Sequence, residues 1–175
     1  MRIAAVGDIH GSENLEPFAA DLDAPLARVL GGEAAERVLD RFLRDRPALD
    51  RAGRAAAAEA VFGVGLWRRR LAWHLGRDDL APRLLLGSLL RDLAGLGGAA
   101  AEGLCALAPG SLPPPRPPPE DLAGFYSLPG WLAAILEREA GAEAPAVADA
   151  LNRPGPVCLR VNRFRATPEA LSARL

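Results

Sequence analysis

Leu151-Asn152-Arg153-Pro154-Gly155-Pro156-Val157-Cys158-Leu159-Arg160-Val161-Asn162 is the stretch at which the chain changes architecture. Two prolines around a glycine cannot continue the helical pattern that ends at Leu151, because proline lacks the amide donor and disfavours helix at the residue before it. Val157, Leu159 and Val161 then alternate with Cys158, Arg160 and Asn162, the period of a half-buried strand. Upstream, apolar residues recur at helical spacing. Downstream, Thr167 is a cap and Pro168 a first-turn residue for one more helix. The expected fold is mainly α: a helical bundle, linking helices, and the first strand of an α+β domain. A strand with one apolar face needs sheet neighbours. The other strand candidate is Arg2 to Val6, so the α+β part is expected to be truncated.

Composition sets further limits. At 175 residues, half of them apolar, the chain holds one ordinary domain plus a fragment of another. A net charge of -1 makes it no global magnet for polyanions, and its 21 basic residues are all arginine. A coding bias explains that usage better than selection for phosphate forks. Cys105 and Cys158 are far apart and lack paired spacing, which suits a reducing interior and argues against a disulfide framework or a zinc site. No apolar run reaches membrane-spanning length, and Asp8 comes too soon after Met1 for a signal segment. A cytoplasmic, monomeric protein without membrane contact is expected.

The helices can be taken in order. Residues 1–25 form an extension of uncertain status and residues 26–98 the bundle. Leu26 to Leu30 and Glu33 to Arg44 are split by Gly31-Gly32, and Val38, Leu39, Phe42 and Leu43 give the second piece its apolar stripe. Asp50 caps a helix running through the Ala55 to Ala60 block. Gly63 and Gly65 interrupt it weakly, as a kink or as a place where a neighbour approaches. Val64, Trp67, Leu71 and Leu75 share a face, with Arg69 and Trp73 opposite. Trp73 is expected to pack on a neighbouring helix, with a stacking platform beside Arg69 as the alternative reading. Gly76 ends this helix, Asp78 and Asp79 open the next, and Pro82 sits in its first turn. Leu86, Leu89, Leu90, Leu93 and Leu96 mark a helix central to the bundle. Residues 99–119 read as an Ala/Gly/Pro-rich linker closing in a polyproline rod, residues 120–156 as linking helices, and residues 157–175 as the start of the truncated domain. Within the linking part, Trp131, Leu132, Ile135 and Leu136 are expected to form a buried side, and Gly141 to end that helix.

The junction, together with Leu128-Pro129-Gly130-Trp131-Leu132 and Arg165-Ala166-Thr167-Pro168-Glu169-Ala170-Leu171, resembles the Nop/Sun family of RNA (cytosine-5) methyltransferases. Phe62-Gly63-Val64, Trp67-Arg68-Arg69-Arg70-Leu71 and Leu75-Gly76 look like one helix of that family's NusB-like RNA-binding domain. The resemblance covers roughly residues 26 to 175. It implies that the bundle is NusB-like, that the partner is ribosomal RNA, and that S-adenosylmethionine serves the full-length enzyme through a C-terminal catalytic domain missing from this chain.

No catalytic residue is carried over. Gly63-Val64-Gly65 has no strand before it and fails the context of a cofactor loop. Neither cysteine follows a proline, as the family's nucleophile does. No cofactor or metal is therefore assigned to this chain, and whether it is an enzyme by itself is left open. The candidate RNA-binding residues are Arg51, Arg54, Arg68, Arg69 and Arg70 on the bundle and Arg153, Arg160, Arg163 and Arg165 at the junction. The bland alternative for the arginines is a solvated face. A second functional reading is a non-catalytic, antitermination-like module for protein or RNA binding. Gly7-Asp8-Ile9-His10-Gly11 resembles the opening of calcineurin-like metallophosphoesterases, which gives a third, vestigial reading. With His74 as the only other histidine, the two-metal site of such enzymes cannot be completed, and an incidental strand and turn is the favoured reading.

Overall fold

A computed structural model describes residues 12–77, 81–153 and 160–174. The expected Arg2 to Val6 strand, the Asp8 and His10 turn, the Asp78-Asp79 helix start and the first half of the Val157 to Asn162 strand lie outside those residues. Among the described residues there is no strand, and Arg160 to Asn162 have no regular structure.

Helix α4, Arg51–Leu75, is the axis of the molecule. Its start is fixed by Asp50, whose carboxylate accepts the Gly53 N–H at 2.8 Å. Its end is fixed by Gly76 in the left-handed region (φ 66°), which sends its N–H back to Ala72 O at 2.9 Å. Helix α1 (Ser12–Leu15), helix α2 (Asp23–Leu30) and helix α3 (Ala35–Arg44) all pack on α4. Leu15, Phe18, Ala19 and Leu22 are buried in the same core as α4, so the described part of the N-terminal extension belongs to the bundle.

Helix α5, Pro82–Ser88, continues into one π turn, Leu89–Leu93, and lies against α4. Of the leucine stripe expected at the centre of the bundle, Leu86, Leu89 and Leu90 are buried and Leu93 and Leu96 half-buried; Leu85 is buried beside them, as are Val64, Trp67, Leu71 and Leu75 on α4. Burying one such side chain stabilises the fold by about 1.5–3 kcal/mol. Exposed ion pairs such as Arg44–Asp40 add less than about 1 kcal/mol each, so this seam governs stability. Gly63 does not break α4. A Cβ there would meet Leu89 Cδ2 at 2.9 Å, so the glycine lets Leu89 of the π turn pack directly on the helix.

The segment expected as a linker is partly helical and firmly tied. Helix α6, Gly98–Leu104, buries Ala101 in the main core, with Cys105 just beyond it. The Glu102 carboxylate then accepts the N–H groups of Gly110 (3.1 Å) and Leu112 (2.9 Å), folding the chain back. The proline tract is fastened to the end of α4. Trp73 Nε1 donates to Pro117 O and Arg116 Nη1 to Trp73 O, both at 2.9 Å. Trp73 thus remains 43% exposed, held by the proline tract rather than buried against a helix.

A second, smaller core gathers Tyr126 and Leu128, which follow helix α7 (Leu122–Phe125), with Ala133 of helix α8 (Gly130–Ala140) and Ala148 of helix α9 (Ala144–Leu151). Here the expected buried side of α8 needs correcting. Leu132 and Leu136 pack on this core as expected, whereas Trp131 is 67% exposed and Ile135 37%, and small Ala133 is the α8 residue buried most deeply. The close approach of α9, with Ala148 fully buried, leaves room for a methyl group and not for an indole. Helix α10, Pro168–Ser172, begins as expected, with Thr167 Oγ1 accepting the Ala170 N–H at 3.2 Å.

Candidate functional site

The bundle arginines separate into two groups along α4. Arg51 is exposed at its first turn, and Arg54, half-buried, donates from Nε to Leu49 O at 3.0 Å. Arg68 and Arg69 lie about 25 Å farther along the axis at 1.5 Å per residue, so one short RNA element cannot be gripped by all of them through side-chain reach alone. Both are exposed, and Arg68 Nη1 reaches Leu30 O at 3.2 Å. The Arg68 guanidinium keeps further donors free for an anion.

Arg70 sits differently. It is 6% exposed, its Nη1 donates to Phe125 O at 2.9 Å, and its guanidinium carbon lies 4.5 Å from the Phe125 ring centroid and 5.9 Å from that of Trp67. Burial lowers its pKa, opposed by the charge of Asp92. Its Nε also donates to His74 Nε2 at 3.4 Å. His74 therefore carries its proton on Nδ1, which donates to Arg116 O at 3.0 Å. Burial first, with Arg70 and Arg91 adding to it, holds His74 below the usual histidine range against the pull of Asp92 and the Arg116 carbonyl.

At the junction, Arg153 pairs with Asp149 one helical turn earlier. Arg160, Arg163 and Arg165 are exposed, and the first two share a cavity of about 700 Å³ with Val161, Asn162, Phe164 and Pro168. The structure thus brings the downstream arginines together around one turn, a grouping their alternation along an expected strand did not suggest. Two aromatic partners were also missed. Arg116 lies over the Trp73 ring at 4.6 Å, and Phe164 stands fully exposed between Arg163 and Arg165. The Arg-Phe-Arg triplet itself was the available signal for the latter.

Burial pushes the Cys105 thiol up to about 12, far from a nucleophilic thiolate. Gly63 and Gly65 lie within continuous helix, with Leu89 against Gly63, so they do not fit a cradle for S-adenosylmethionine. Among the described residues no group of 3 or more His, Cys, Asp or Glu side chains could hold a metal ion, and no helix is long and apolar enough to cross a membrane.

These features define a mainly helical chain with exposed arginines at two places along its longest helix and at one turn near its C-terminal part, and with others on α3, α8 and the proline tract. Residues 128–175 match the family model described as Methyltr_RsmF/B-like, ferredoxin-like domain, which supports a likeness to ribosomal RNA methyltransferases over about a quarter of the chain. Neither the curated proteins nor the solved structures contain a match to the chain.

Proposed function

We propose that the chain is the RNA-binding N-terminal portion of an S-adenosylmethionine-dependent ribosomal RNA cytosine-C5 methyltransferase, acting in the cytoplasm. The single observation that carries this reading is the family-model match over residues 128–175. The resemblance of the bundle to a NusB-like domain and the exposed Arg51, Arg68, Arg69, Arg160, Arg163 and Arg165 support it. The helical part positions a folded ribosomal RNA element, with arginines holding phosphates. Methyl transfer belongs to a catalytic domain outside these 175 residues, and the cofactor is bound there. Arg70 supports the surface from within and does not touch RNA.

Ultraviolet cross-linking of the chain to small-subunit ribosomal RNA, with peptides mapped by mass spectrometry, tests this. Cross-links are expected on peptides around Arg68–Arg69 and Arg160–Arg165. Labelling confined to α8 and α9, or none above a charge-matched control protein, contradicts it.

One observation favours a second reading as a protein-binding module. Trp131, Ile135, Val147 and Leu151 leave an exposed apolar face on α8 and α9. That reading requires a saturable protein partner and no RNA affinity above the same control.

A further inference from the structure

Among the described residues the two hydrophobic cores share no side chain, and the segment from Pro113 to Ser127 is fastened to the bundle by a row of hydrogen bonds. Arg91 Nη1 donates to Pro113 O, Trp73 Nε1 to Pro117 O at 2.9 Å, Arg70 Nη1 to Phe125 O at 2.9 Å and the Arg69 N–H to Ser127 Oγ at 3.1 Å. His74 sits within this row. Its Nδ1 donates to Arg116 O at 3.0 Å while its Nε2 accepts from Arg70 Nε at 3.4 Å. A ring with one donor and one acceptor is needed here, and that is neutral imidazole. Both His74 and Arg70 are buried, away from water that could replace a lost partner. Among the described residues the charged groups facing the ring are Arg70 on its own helix and Arg91 and Asp92 of the π turn, two cations against one anion. Both Asp92 oxygens already accept from Arg91 at 2.8 Å, and one of them also from Ser88 Oγ at 2.6 Å.

We propose that His74 is a proton-operated latch: in mild acid its Nε2 becomes a donor facing the Arg70 guanidinium, Arg70 leaves Phe125, and the Pro113–Ser127 segment comes away from α4 with the smaller core while the main bundle stays folded. Protonation sets two N–H groups against each other and puts a third positive charge beside one carboxylate. Turning the long Arg70 side chain out to water relieves both, and breaks its bond to the Phe125 carbonyl and its contact with the Phe125 ring. The seam of Val64, Trp67 and Leu71 against Leu86, Leu89 and Leu90 is apolar and carries no term that a proton changes. Burial first, then the two arginines, keeps the latched ring neutral, whereas opening hydrates it and lets it take up a proton near the ordinary value of 6.5. The latch is therefore fully closed above that value. Below it the opening constant grows by up to about tenfold per pH unit, and levels off at the lower pKa of the latched ring. This inference is independent of the RNA-binding reading above.

The test is amide hydrogen exchange of the full chain on both sides of pH 6.5, corrected for the pH dependence of chemical exchange, with the His74 imidazole titrated by NMR in the same samples. Helix α7 is four residues long and has no stability of its own, so its amides report the latch. The protection of the Phe125, Tyr126 and Leu128 amides should fall as the pH drops below 6.5 and level off where the imidazole titrates, while the amides of Val61 to Leu71 keep theirs. Glutamine offers one donor and one acceptor and takes up no proton, so His74→Gln should hold its α7 protection constant over the same range. Three results overturn the proposal: α7 protection that stays constant while His74 titrates, a loss that is the same in wild type and His74→Gln, or a loss shared equally by α7 and the centre of α4. If His74→Gln does not fold, the wild-type comparison of α7 protection with the imidazole titration still decides.

Discussion

Arg70 and Phe125 join the two cores of the protein. The guanidinium donates to the Phe125 carbonyl at 2.9 Å and lies 4.5 Å from the centroid of the same residue's ring, one side chain answering both a backbone acceptor and a π face. The contact reaches from the C-terminal part of α4 to α7, and so from the main bundle to the smaller cluster.

Replacing Arg70 by Met keeps most of the stem and removes the donor and the charge. The Phe125 carbonyl then loses its partner, and we expect a destabilisation of about 1–3 kcal/mol, read as a lowered melting temperature. Arg68→Ala and Arg69→Ala, both at exposed positions, should cost less than about 0.5 kcal/mol. A stable Arg70→Met protein that has lost RNA affinity would show that Arg70 is a surface ligand after all.

Gly63 and Gly65 make a matched pair within one helix. Alanine at Gly65 meets only Val29 Cγ1 at 3.5 Å, an ordinary contact, and should stabilise by up to about 1 kcal/mol through helix propensity. Alanine at Gly63 drives a methyl against buried Leu89 at 2.9 Å. Overpacking of that kind costs about 1–3 kcal/mol and should cancel or reverse the same gain. Equal rises in melting temperature for both variants would mean that α4 and the π turn are not in close contact.

His74 links stability to pH. Its folded pKa lies below the ordinary value of 6.5, so the unfolded chain takes up the proton first. The stabilisation is complete above 6.5 and is lost as the pH falls through the lower folded value. His74→Gln should flatten the part of the stability profile that wild type loses as the pH falls below 6.5. Identical profiles for wild type and His74→Gln would remove His74 from the contact with Arg116.

The helical part of this fold was legible because burial on one face writes itself into sequence at a fixed period. The Val64, Trp67, Leu71 and Leu75 stripe, the Asp50 cap, the Gly76 stop and the Thr167 cap all follow from local rules. What stayed hidden depends on partners far along the chain. The apolar spacing of α8 pointed to Trp131 and Ile135, but the side that α9 approaches is set by Ala133 and Ala148. A proline tract reads as a spacer from composition alone, and its attachment runs through the backbone carbonyls of Arg116 to His74 and of Pro117 to Trp73, with the Arg116 side chain adding a bond to Trp73 O. Of the candidate site, residue type was readable and accessibility was not. The triplet Arg68-Arg69-Arg70 looks uniform, yet its third member is buried.

RNA binding by exposed arginines is the claim on which the functional account stands, and the salt dependence of that binding tests it most directly. The affinity of the chain for small-subunit ribosomal RNA should fall linearly on a log–log plot against salt, with a slope of roughly 0.7–0.9 per phosphate contact. Arg68→Ala with Arg69→Ala should reduce that slope by roughly 1–2 units without loss of fold. An affinity that does not change with salt, or does not exceed that of a charge-matched control, would contradict the account.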